Sequence, residues 1–287
     1  MLSEIKHLPF QTEDHYYVQM MPDIQFARFP NGYTLHMNIL RPQSHLPLPL
    51  IVWVVGGSWL EADNYKHVPM MSSIASQGYV VACIQYRTVN RAPFPAPLQD
   101  VKTAIRFLRA HADEYGIDAE HIGIWGHSAG GHLAALAGVT GDQPEWDEEG
   151  EWSGYSSRVS AVVDFCGPTD VIADFQSEYA QPVISLLLGG PQRDKMDNAA
   201  LANPVTHIQA NAARQGTLPP FLIVHGDADE MVPLRQSQFL YDALDEAGSD
   251  VTFYILEGVE HSASGLMTRL DVMDAVTRFF AFHLKGS

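Results

Sequence analysis

The chain has 287 residues, 46% of them hydrophobic and 18% charged, the balance of a folded globular protein with enough material for a substantial core. Lys and Arg number 17 against 34 Asp and Glu, and the net charge of -17 argues against nucleic acid as a partner and disfavours anionic substrates. Met1 to Phe10 contains Glu4, Lys6 and Pro9 without an apolar core, and no run is long enough to span a bilayer, so a cytoplasmic location and no membrane partner are expected.

Gln25 to Phe29 and Tyr33 to Leu40 read as strands joined by the hairpin signal Pro30-Asn31-Gly32. Pro42 to Pro49 interrupts the pattern. Leu50 to Val55 then forms an unbroken apolar run, as expected of a strand buried on both faces of a parallel sheet. Strands and helices alternate from there. Val80 to Ile84 is predicted as strand and Leu98 to His111 as helix; Ile122 to Trp125 is strand and Ser128 to Thr140 helix. Val159 to Phe165, Phe221 to His225 and Val251 to Leu256 complete the strands, with helices over Leu234 to Ala247 and Leu266 to His283. This alternation implies an α/β fold with a mostly parallel central sheet, an antiparallel N-terminal hairpin and helices on both faces. Without repeats or linkers, residues 1–287 read as one domain, with cap-like excursions at about 141–158 and 168–219 on the side where open α/β sheets carry their sites. Cys83 and Cys166 lie in apolar runs and read as free buried thiols.

Gly126-His127-Ser128-Ala129-Gly130 falls between a predicted strand and a predicted helix, the setting in which G-x-S-x-G acts as a nucleophile elbow. A serine hydroxyl needs a base to take its proton, and the base needs an acid to fix its tautomer. His261, after the last predicted strand, is the candidate base; Asp227 and Asp229, in the stretch His225 to Asp229, compete as the acid. His225 is expected to brace that loop, and His127 and His132 to pack around the elbow. Gly56-Gly57-Ser58-Trp59 follows the first buried strand; the amides of Gly57 or Ser58, together with that of Ala129, are the expected oxyanion donors.

Together these residues resemble the α/β-hydrolase carboxylesterases, specifically the hormone-sensitive-lipase-like acetyl esterases and the bacterial feruloyl esterase-like group. The resemblance runs through Val54 to Trp59, Gln85-Tyr86-Arg87, Asp100-Val101-Lys102, Gly126 to Gly131, Tyr155 to Val159, Gly167 to Asp170 and His225 to Pro233. In the pattern His-Gly-x-x-Asp-x-x-Val-Pro the catalytic acid falls on Asp229, with Val232 and Pro233 completing it, which decides against Asp227. The family usually has His-Gly-Gly in the oxyanion loop, and Val55 stands in place of that histidine. Arg87 and Asp100 are expected to form a structural ion pair, and Asp170 to cap a helix.

The resemblance implies a serine carboxylesterase acting on short-chain acyl or hydroxycinnamoyl esters, carbohydrate-linked ones among them, through Ser128, His261 and Asp229. Trp59 is a candidate for substrate contact, and Trp146, Trp152, Tyr155 and Phe175 could line an aromatic-accepting pocket, although packing is the commoner use of such residues. No His, Cys and carboxylate set has metal spacing and no dinucleotide fingerprint is present, so neither metal nor cofactor is expected. An amide-bond hydrolase, such as an arylformamidase or a prolyl-oligopeptidase-like peptidase, would use the same triad, whereas a non-catalytic binding protein on this fold would need a broken one.

Overall fold

A computed structural model describes residues 16–143, 146, 152–172, 180–215 and 218–286. Strand β1 (Val18–Arg28) turns back into β2 (Thr34–Pro42) through Pro30-Asn31-Gly32, where Gly32 takes a φ of 82° and the Asn31 side chain accepts the Tyr33 N–H at 3.0 Å. β1 begins well before the predicted Gln25. Pro22 and Asp23 break the alternation in sequence, and two register shifts, between Met21 and Ile24 and between Gln25 and Ala27, absorb them. Asn38 on β2 accepts the Asp23 N–H at 3.0 Å at that irregularity.

The remaining strands are β3 (Leu48–Val54), β4 (Val80–Ile84), β5 (Ile117–His127), β6 (Ala161–Phe165), β7 (Phe221–Gly226) and β8 (Val251–Leu256). They form one eight-stranded sheet in the order β1-β2-β4-β3-β5-β6-β7-β8. β2 is antiparallel to both β1 and β4, and every pair from β4 to β8 across the sheet is parallel. Each parallel connection therefore needs a crossover, and helices supply them.

Helix α1 (Val68–Ala75) links β3 to β4, and α2 (Ala96–Ala110) with α3 (Ala112–Tyr115) links β4 to β5. α4 (Ala129–Val139) follows β5; α5 (Ala180–Leu188), α6 (Met196–Ala202) and α7 (Pro204–Gln215) lie between β6 and β7. α8 (Arg235–Glu246) joins β7 to β8, and α9 (Ala263–Met267) and α10 (Leu270–Phe280) complete the chain with a wider turn over Ala281–Lys285. α1 is absent from the sequence reading because two helical turns are too short to establish a 3.6-residue period. The predicted last helix is broken at Arg269, whose backbone is extended. The second excursion is largely helical within its described part.

Alternate strand residues feed two apolar layers. Leu50, Val52, Val54, Ile124 and Val162 meet α2, α4, α7 and α8 on one face. Ile51, Trp53, Trp125, Val163 and Val224 meet α1 and α10 on the other, with Trp53 and Trp125 edge-to-face at 5.1 Å. Burial of this kind contributes about 25 cal/mol per Å² of apolar surface and fixes where each parallel strand ends. Among the described residues no helix is long and apolar enough to cross a membrane.

Candidate active site

β3, β5, β7 and β8 deliver their C-terminal ends to one edge of the sheet, the place where open α/β sheets bind ligands. Between β5 and α4, Ser128 is forced to φ 56° and ψ -123°, a conformation that L-residues rarely adopt. Such strain costs about 1–3 kcal/mol and must be held by its surroundings. A Cβ on Gly126 would strike the Gly130 carbonyl, and one on Gly130 would strike that of Val54, so strand, helix and neighbouring strand meet backbone to backbone. The Ser128 N–H donates to the Phe165 carbonyl at 2.8 Å, and the Ser128 carbonyl accepts the His132 N–H at 3.0 Å.

The structure brings Ser128, His261 and Asp229 into one hydrogen-bonded line. The Ser128 hydroxyl donates to Nε2 of His261 at 2.8 Å, and Nδ1–H of His261 donates to Oδ2 of Asp229 at 2.6 Å. Oδ1 of Asp229 accepts the N–H groups of Met231 at 2.9 Å and Val232 at 2.8 Å. His225 adds an Nε2–H that lies 3.0 Å from Oδ2 of Asp229 and 2.9 Å from the Val232 carbonyl; its Nδ1 pairs with the Ser237 hydroxyl at 2.7 Å. Burial works to raise the pKa of Asp229, but the hydrogen bonds from His225 and His261, the charge on His261 and the Val232 N–H together hold it well below the usual carboxylate range. Asp227 is exposed and accepts the Gly258 N–H at 2.6 Å, tying two loops together.

The loop after β3 lies against this elbow: a Cβ on Gly56 would come within 3.1 Å of Cβ of Ser128. Gly57, Ser58 and Trp59 follow with φ of 139°, 53° and 55°. Leu60 and Glu61 return their N–H groups to the Gly57 carbonyl at 2.9 and 3.2 Å, closing the turn. The Tyr86 hydroxyl reaches the carbonyls of Val55 and Glu61, each at 3.1 Å. Val55 is buried, and this phenol braces the loop at the position where the family usually has a histidine. Trp59 is also buried, at 2% exposure, and its indole N–H donates to Nδ1 of His132 at 3.1 Å. Nε2–H of His132 donates in turn to the Ala202 carbonyl at 2.7 Å. Trp59, the expected substrate contact, also packs its ring edge-to-face on His132.

Burial disfavours the charged form of several groups near the elbow. It lowers His132 to about 4, and it lowers His127 to about 3 with help from the charges of His261 and His67. It raises Asp164, at the end of β6, to about 6, although the Gly167 N–H bonded to this carboxyl and the nearby His225 pull the other way. Cys83 and Cys166 are both free and buried. One ligand atom each from His127, Cys166 and His261 lies within 4.8 Å of the other two, a grouping that spacing along the chain did not reveal.

Trp146 is buried, with its N–H on the Gln143 side chain at 3.0 Å and its ring against Phe94; Trp152 donates to the Phe26 carbonyl at 3.3 Å and packs on Phe107 and His111. Tyr155 is exposed, and Phe175 lies outside the described residues. Arg87 and Asp100 pair at 2.8 Å, joining the segment after β4 to α2. Asp170 accepts the Ile172 N–H at 2.9 Å and the Asn203 amide at 2.8 Å. Tyr86 had no assigned role in the sequence reading; its place at the end of an apolar strand hints at burial, but its two carbonyl partners are set by tertiary contact.

Residues 37–244 match the BD-FAE family. The probable carboxylic ester hydrolase LipM of Mycobacterium tuberculosis is 32% identical over 81% of this chain and 53% of its own length. Esterase LipQ of the same bacterium is 30% identical over 97% of this chain and 65% of its own. The chain thus spans between half and two thirds of the length of these relatives. A truncated carbohydrate esterase from gut microbiota, 29% identical, superposes over 96% of this chain and 99% of its own with a TM-score of 0.78. A thermophilic esterase from the Planctomycetes species Thermogutta terrifontis, with propionate bound, is 26% identical over 93% of this chain and 94% of its own, with a TM-score of 0.73. A match over most of the sheet, and structural likeness along nearly the whole chain, place this chain in the BD-FAE family of α/β-hydrolase carboxylesterases.

Proposed function

We propose that the chain is a serine carboxylesterase that removes short acyl or hydroxycinnamoyl groups from carbohydrate hydroxyls through an acyl-enzyme. The observation that carries this reading is the line of hydrogen bonds from Ser128 through His261 to Asp229. His261 takes the Ser128 proton as the oxygen attacks the ester carbonyl, and Asp229 holds the ring with Nε2 facing the nucleophile. The oxyanion then develops beside the amides of Gly57 or Ser58 and of Ala129, the first residue of α4, where the helix dipole also favours negative charge. His261 passes its proton to the departing sugar oxygen. Water then repeats the cycle on the acyl-enzyme.

The acyl and alcohol parts draw on the relatives: one is a carbohydrate esterase and another holds propionate. The test is a panel of p-nitrophenyl acetate, propionate, butyrate and palmitate, methyl ferulate and acetylated xylo-oligosaccharides. Hydrolysis of the short-chain and sugar esters is expected, and Ser128→Ala should lose about 10⁴-fold or more in kcat. Wild-type turnover in that variant would refute the serine mechanism. Equal rates on long-chain esters would refute the assignment of substrate class.

A further inference from the structure

His127, Cys166 and His261 stand apart from the ester chemistry as a set, since only His261 takes part in it. We propose that these three side chains form a binding site for a thiolate-preferring metal ion, Zn²⁺ foremost, and that occupancy draws His261 away from Ser128 and stops hydrolysis. The inhibitory half of this proposal rests on the serine-esterase reading; the binding half does not.

Three observations support it. One ligand atom from each residue lies within 4.8 Å of the other two, the only such group among the described residues. Bonds of about 2.0–2.1 Å to nitrogen and 2.3 Å to sulfur put tetrahedral ligand atoms roughly 3.5 Å apart, so small side-chain rotations close the set. Nε2 of His127 is buried without a hydrogen-bond partner, on a residue only 8% exposed, and a buried nitrogen left in that state costs stability. The third observation is the orientation of His261, whose Nδ1–H is given to Asp229 at 2.6 Å. Zinc-binding histidines characteristically hand one nitrogen to a carboxylate and offer the other to the metal.

The donor set selects the ion. Two imidazoles and a thiolate favour Zn²⁺ or Cu(I) over Mg²⁺ and Ca²⁺, which prefer oxygen. On binding, the Cys166 S–H bond breaks, an S–Zn bond forms and the proton leaves to solvent. Nε2 of His261 exchanges the hydrogen bond from Ser128, 2.8 Å long, for a bond to the metal. The Ser128 oxygen or a water fills the fourth position. Ser128 and His261 are half-buried, so the ion enters by the substrate's route, whereas Cys166 lies deeper.

The experiment titrates the whole protein with Co²⁺ and follows the thiolate-to-cobalt charge-transfer band, then adds Zn²⁺ and measures fluorophosphonate labelling of Ser128. The wild type is expected to show the band at one equivalent, and to lose labelling with Zn²⁺ and regain it with a chelator. Cys166→Ser should abolish the band and raise the Zn²⁺ needed for half-protection by about tenfold or more. His127→Gln should raise it similarly, which keeps the test decisive if the cysteine variant does not fold. Absence of the band in the wild type, or protection that survives both substitutions, overturns the proposal. Failure to label Ser128 without metal would instead overturn the hydrolase reading, leaving the cobalt band to decide the site.

Discussion

Asp229 receives hydrogen bonds on both oxygens, two from backbone amides and two from imidazoles. Asn at this position keeps the amide contacts through Oδ1 but turns an N–H₂ toward the His225 and His261 donors. Asp229→Asn is therefore expected to lower kcat about 10⁴-fold with little change in KM, measured on a p-nitrophenyl ester. Asp164 behaves in the opposite way. Burial raises its pKa to about 6, so the folded state holds its proton where the unfolded chain, with an aspartate pKa near 3.9, has released it. Stability on this account is full below about pH 4, falls as pH rises to about 6 and stays reduced above that. Between about pH 4 and pH 7, Asp164→Asn should gain on the wild type by about 3 kcal/mol in urea unfolding. A constant difference across that range would show that the folded protein does not raise the pKa of this carboxyl above its unfolded value.

At the scale of elements, the elbow and the oxyanion loop are separate turns pressed together by Gly56, Gly126 and Gly130, and each carries its own brace. Tyr86 ties the loop to itself through the carbonyls of Val55 and Glu61, and the Trp59–His132–Ala202 relay ties it to α4 and α6. Tyr86→Phe keeps the ring and removes the tie. We expect a drop in kcat of about tenfold at unchanged KM, with a stability loss of about 1 kcal/mol, read from steady-state kinetics and thermal unfolding. The position of the elbow was legible in sequence because G-x-S-x-G sits between an apolar run and a helical period. The braces were not, since Tyr86 and His132 reach partners that only folding brings near.

For the whole molecule, the net charge of -17 sets a repulsive field for anionic esters that salt screens within about 10 Å at 0.1 M. kcat/KM for a sulfonated aryl acetate should rise several-fold between about 0.01 and 0.2 M NaCl, while that for a neutral aryl acetate stays flat; parallel behaviour of the two would place the acidic residues far from the cleft. The sequence by itself determined the α/β alternation, the buried parallel strands and the chain order serine, aspartate, histidine, because hydrophobic period and turn residues act locally. The choice of Asp229 over Asp227 needed the family pattern, and in the fold Asp229 is the one bonded to His261 while Asp227 joins two loops. Tertiary structure alone decided that β1 starts before its bulges, that Trp59 packs inward, and that His127, Cys166 and His261 meet. These outcomes depend on contacts between residues far apart in the chain, whose distances are set by how the helices cover the sheet.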